Sequence, residues 1–159
     1  MTLDCSHIQF CVDKSKVDFA QLQSLFVKTA FWARSRNIEQ LKIAIANSNP
    51  VVTVWDNERL IGFARATSDG VYRAAIWDVV VDPGYQGAGL GRKLVQTVLS
   101  HPLVSRVERV YLTTTYKQSF YEKIGFKRNE TKTMVLYNSD TSDDLARRIQ
   151  EIPVSIERA

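Results

Sequence analysis

A chain of 159 residues, 45% hydrophobic and 24% charged, is long enough to bury one core and is neither disordered nor collagen-like in composition. Its apolar runs are too short to cross a bilayer, and MTLDCSHIQFCVDK lacks the order of a secretory signal, so a cytoplasmic protein without a membrane partner is expected. The net charge of +4 comes from scattered residues rather than a dense basic patch, which argues against nucleic acid, and Cys5 and Cys11 alone make neither a disulfide framework nor a metal site.

In chain order, HIQFCV alternates as a first strand, and Phe19, Leu22, Leu25 and Phe26 recur at helical spacing, which predicts a helix starting near Asp18. A second helix runs through Ile38, Leu41 and Ile45 and stops at Asn49-Pro50. VVTVWD and LIGFARATSD, joined by DNER, read as an antiparallel hairpin, and YRAAIWDVVV as the next strand. GYQGAGLG then launches a helix with Leu90, Leu94, Val95, Val98 and Leu99 on one face, ended by His101-Pro102. VERVYLTTT is a fifth strand, KQSFYEKI a short helix closed by Gly125, and KTMVLYN a last strand. The order is βααβββαβαβ, an α+β fold. Residues 1–138 form the domain, and residues 139–159 a polar tail with a modest helical pattern in DLARRIQEI.

Arg92 and Lys93 stand in the first turn of the helix after the glycines, where cations oppose the macrodipole, and this points to a bound anion. The dinucleotide fingerprint fails because Arg92 stands where its third glycine belongs. The P-loop fails because Leu90, not Lys, follows Gly89. Backbone N–H groups of Gly87, Ala88, Gly89, Leu90 and Gly91 at a helix start can surround such an anion if no Cβ blocks the approach.

Gln86-x-x-Gly89-x-Gly91 straight after VVVDP closely resembles motif A of the GCN5-related N-acetyltransferases, the GNAT family, and SFYEKIGF at 119–126 resembles its motif B. The resemblance covers residues 5–137. It is nearest to the short GNAT proteins of cyanobacteria and plastids, which include serotonin N-acetyltransferases and relatives acting on protein lysines and N-termini. It implies a mostly antiparallel sheet splayed between strands 4 and 5 and flanked by helices, acetyl-CoA as cosubstrate without a metal, and a monomer or homodimer.

Residue by residue, the resemblance implies that Gln86 and the glycine turn hold the coenzyme, with Arg92 and Lys93 towards its phosphates. Val79, Val80 and Val81 pair with the pantetheine arm, and Thr114 offers it a hydroxyl. Tyr121 takes the place of the acid that protonates the departing thiolate, and the Val79 N–H that of the oxyanion donor. Asp78 is either a base or a structural ion pair with Arg65 or Arg73, since an unpaired carboxylate in AAIWDVVV would be costly to bury. The strand Glu that serves some members as base has no obvious equivalent. Phe31, Trp32, Arg34 and Trp77 would line the acceptor pocket. The expected reaction is direct acetyl transfer in a ternary complex to an arylalkylamine such as serotonin. The alternatives are a protein lysine or N-terminal amine, and a non-catalytic acyl-CoA sensor.

Overall fold

The computed structural model describes residues 5–138, and the chain divides into two units, Met1–Leu112 and Thr113–Ala159. The tail expected at 139–159 lies outside the described residues.

In the first unit five strands, β1 (Ile8–Cys11), β2 (Val51–Asp56), β3 (Arg59–Ser68), β4 (Arg73–Val81) and β5 (Arg109–Tyr111), form one sheet in sequence order. The first three pairings are antiparallel and β4–β5 is parallel. A tight turn suffices between antiparallel neighbours, and Asn57 makes one with φ of 53°. A parallel neighbour needs a crossover, which α3 (Leu90–Ser100) and α4 (Pro102–Ser105) supply.

Two helices precede the hairpin. α1 (Phe19–Thr29) starts where Asp18 accepts from the Gln21 N–H at 3.0 Å. α2 (Ile38–Ala46) starts in a capping box, with Asn37 and Gln40 each bonded to the other's backbone. Both helices lay their apolar stripe on one sheet face. Leu22, Leu25, Phe26, Leu41 and Ile45 join Val51, Phe63 and Val80 in one buried cluster, where Phe26 meets Phe63 edge to face. Burying each such side chain stabilises the fold by roughly 1.5–3 kcal/mol. The strand residues that alternate with these, Val52, Val54, Ala64 and Ala66, are also buried, and α3 brings Leu90, Leu94, Val95 and Val98 to β2, β3 and β4. Gly62 leaves room for its partner on β2: a Cβ there would meet Val54 side-chain atoms at 3.0 Å.

The expected splay is visible in the ladder. β5 pairs only with Arg73, Ala74 and Ala75, so from Ile76 onward β4 has no strand on that edge among the described residues.

The second unit holds α5 (Gln118–Glu122). Gly125, at φ of 118°, closes it as expected, with the Gly125 N–H on the Glu122 carbonyl and the Phe126 N–H on that of Tyr121. Two expectations are corrected. The fifth strand is three residues long rather than the whole of VERVYLTTT, and KTMVLYN forms no strand, leaving Met134 and Leu136 exposed. Strand propensity needs a neighbouring ladder to act on, and the described part of this unit contains none.

Candidate active site

The register of β4 on β3 slips in the middle. Trp77 pairs with Arg65 and Val80 with Phe63, so Asp78 and Val79 together oppose Ala64. Trp77 and Val80, three apart, therefore serve the same sheet face. Asp78 takes φ of 57° to make this bulge, a left-handed conformation that costs a non-glycine residue about 1 kcal/mol.

What holds Asp78 there is charge. Its Oδ2 accepts from Arg65 Nε at 2.7 Å and from Arg36 Nη1 at 2.9 Å, and its Oδ1 takes a long 3.4 Å bond from the Trp32 indole N–H. The carboxylate is 5% exposed. Burial alone would raise its pKa, but the two guanidiniums overcome that and hold it below the usual carboxylate value. Arg65 is fixed in turn by Ser48, which is buried and donates back to the Ala44 carbonyl. Of the two cations the sequence offered, Arg65 is the partner, while Arg73 pairs with Glu108 on the β5 side. Arg36 was not foreseen: it lies 42 residues away, and no local periodicity carries that signal. A carboxylate so occupied matches the ion-pair alternative for Asp78.

The glycine turn is built in the opposite manner. Gly87 and Gly89 have φ of 84° and 78°, and a Cβ on either would meet nothing within 4 Å. Gly89 is the N-cap of α3 and has no side chain to cap it, so the first-turn amides, those of Leu90, Gly91 and Arg92, point outward without a helix acceptor. Ala88 and Arg92 are exposed. Open glycines at an uncapped helix start fit the diphosphate of a coenzyme. Gln86 donates from its side chain to the Val81 carbonyl, which ties the turn to the end of β4. The Lys93 ammonium lies 4.5 Å above the Phe10 ring on β1. Val79 and Val81 are half-buried along the strand-free part of β4, and Val80 is in the core.

Behind the turn stands a buttress that the sequence did not reveal. Buried Asp82 accepts from the Gly84 N–H at 2.9 Å and pairs with Arg59 at 2.9 Å and Lys28 at 3.5 Å. Burial would raise its pKa, yet the Gly84 amide and the two cations bring it below the usual value. Arg59 also covers the Tyr85 ring, whose hydroxyl donates to Asp56. Lys28, Arg59 and Asp82 line a cavity of about 250 Å³ beside α1.

Phe31 and Trp32 follow α1, with ring centroids 5.1 Å apart, edge to face and partly exposed. Arg34 is exposed in the same link. Trp77 is partly exposed on β4 and donates to Thr67 Oγ1. The two aromatic groups share a sheet face with the Asp78 cluster.

Tyr121 and Thr114 belong to the second unit. Tyr121 packs edge to face with Phe120 and Phe126, and burial pushes its hydroxyl up to about 12. The Thr114 hydroxyl accepts from the Lys117 N–H, a local turn bond. Among the described residues there is no cluster of metal-ligating side chains and no helix long and apolar enough to cross a membrane.

Residues 16–126 match the family model described as Acetyltransferase (GNAT) family. The chain is 41% identical over 115 residues to an uncharacterized N-acetyltransferase, ycf52-like, of Prochlorococcus marinus, covering 69% of this chain and 63% of that protein. It is 37% identical over 123 residues to histone acetyltransferase TAP1 of Glycine max, covering 70% of this chain and 52% of that protein. The chain thus spans between half and two thirds of these relatives. A solved structure from Deinococcus radiodurans R1, described as an acetyltransferase candidate, superimposes with a TM-score of 0.72 at 29% identity, over 87% of this chain and 94% of that one.

Proposed function

Because the chain belongs to the GNAT family of acetyltransferases, we propose that it moves the acetyl group of acetyl-CoA to the primary amine of an arylalkylamine such as serotonin, by direct attack in a ternary complex. The observation that carries the coenzyme half is the open glycine turn at an uncapped helix start. The coenzyme supplies an electrophilic thioester carbonyl when bound. Around it, the amides of residues 87–92 bind phosphate and Arg92 adds charge. The strand-free backbone of Val79, Val80 and Val81 offers hydrogen bonds, the Val79 N–H among them as oxyanion donor. Tyr121, raised to about 12 by burial, keeps its proton at neutral pH, and its place in the motif B resemblance supports it as the donor to the leaving thiolate. With Asp78 occupied by arginines, the attacking amine must arrive neutral, so the rate rises with pH above neutrality.

The edge-to-face pair Phe31 and Trp32, with Trp77 on the same face, supports an aromatic acceptor. A protein lysine or N-terminal amine is the second reading, favoured by the soybean relative named a histone acetyltransferase. Thiol release from acetyl-CoA, measured against serotonin, tryptamine, tyramine, a polyamine and lysine-containing peptides with Tyr121→Phe alongside, separates the two. Turnover of indole amines that depends on Tyr121 is the expected result. Turnover with peptides alone moves the function to protein acetylation, and coenzyme binding without turnover makes the chain a sensor.

A further inference from the structure

Two separate segments converge on one carboxylate at the bulge of β4, and a third steadies one of them. Arg36 comes from the link between α1 and α2, Arg65 from β3, and Ser48, just after α2, anchors Arg65. Trp32, in the aromatic part of the same link, completes the set. Both oxygens of Asp78 are engaged, Oδ2 by two guanidiniums and Oδ1 by a long bond from an indole N–H, and the side chain is 5% exposed. The bulge also depends on it: an alternating strand would turn residue 78 to the opposite face of the sheet, and these cations lie on the face that Asp78 actually serves.

We propose that Asp78 is a positioning residue: held by Arg36 and Arg65, it fixes the β4 bulge and the aromatic link as one body, so that acceptor wall and acetyl-donor strand stay aligned. This rests on the transferase reading for its kinetic consequence but not for its structural one. Asp78 acts through the backbone of Val79 and through Trp32, and it neither accepts nor donates a proton in the reaction.

The test compares Asp78→Asn, Arg36→Gln and Trp32→Phe with the wild-type full chain. Three things are measured: amide hydrogen exchange over residues 31–36 and 76–81, coenzyme A binding by calorimetry, and steady-state kinetics against pH. Asp78→Asn and Arg36→Gln are each expected to speed exchange in both segments together. They should lower kcat by about tenfold to a hundredfold, as small misplacements of reacting groups do, while the KM for acetyl-CoA and the shape of the pH profile are kept. Trp32→Phe should raise the acceptor KM alone. Faster exchange in only one segment, or in neither, overturns the proposal. So does an Arg36→Gln enzyme that matches wild type while Asp78→Asn loses a limb of the pH profile, because that is the behaviour of a base. If wild type acetylates no amine, the acceptor reading falls while exchange still decides the coupling. If Asp78→Asn does not fold, Arg36→Gln, on a partly exposed arginine, carries the same comparison.

Discussion

Asp78 and the glycine turn both put the backbone in the left-handed region, and they do so by opposite means. At Gly87 and Gly89 side-chain atoms are left out, and the space where a Cβ would stand is open. At Asp78 a side chain is kept, buried and gripped by two arginines. The glycine turn leaves open the space that, in the proposed function, the coenzyme diphosphate fills. The bulge is shaped to hold still. Conformational freedom belongs where a ligand closes the geometry, and charge where the protein must close it alone.

Asp78→Ala should break this contrast most severely, since it strands two guanidiniums around a buried vacancy and costs about 3 kcal/mol in denaturant unfolding. The folded pKa of Asp78 lies below its unfolded value. Its contribution is therefore full above the unfolded carboxylate range near pH 4 and is lost as pH falls through the folded value. The Ala variant should accordingly show a shallower loss of stability in acid than wild type. Tyr121→Phe touches neither left-handed site, and it sharpens the contrast by removing only a proton donor. It is expected to lower kcat about a hundredfold with both coenzyme affinity and unfolding midpoint unchanged. Gly89→Ala sits on the open side, so its stability cost is the strained φ alone, about 1 kcal/mol, while calorimetry should show coenzyme affinity falling by about tenfold. Glu39→Gln breaks an exposed pair with Lys42 on α2 and serves as the floor, with a change under about 0.5 kcal/mol.

Much of the fold was legible because its signals are local. The cap at Asp18, the stripe of α1, the stop at His101 and the closing Gly125 each lie within a few residues of what they control. The glycine turn was legible for the same reason. KTMVLYN was misread because its apolar pattern says nothing of whether a partner strand stands beside it. At the site, AAIWDVVV showed that Asp78 needed a cation, and Arg65 was named with Arg73 but not Arg36, which shares FWARSRN with Arg34. Which of two arginines turns inward is decided by packing across the sheet, and FWARSRN does not encode it locally. The Asp82 buttress was missed likewise, its members Lys28, Arg59 and Asp82 lying on three separate elements.

Lys93 has a second occupation. Its ammonium rests on the Phe10 ring at the far edge of the sheet, and a cation in that position is worth about 0.5–1 kcal/mol at an exposed site. Any phosphate that draws Lys93 towards the glycine turn must first unseat it from β1, so its contribution to anion binding is a difference between two attractions. Thermodynamic linkage then makes the first strand a silent competitor of the coenzyme for one charge, and replacing Phe10 with leucine would release that charge to the turn.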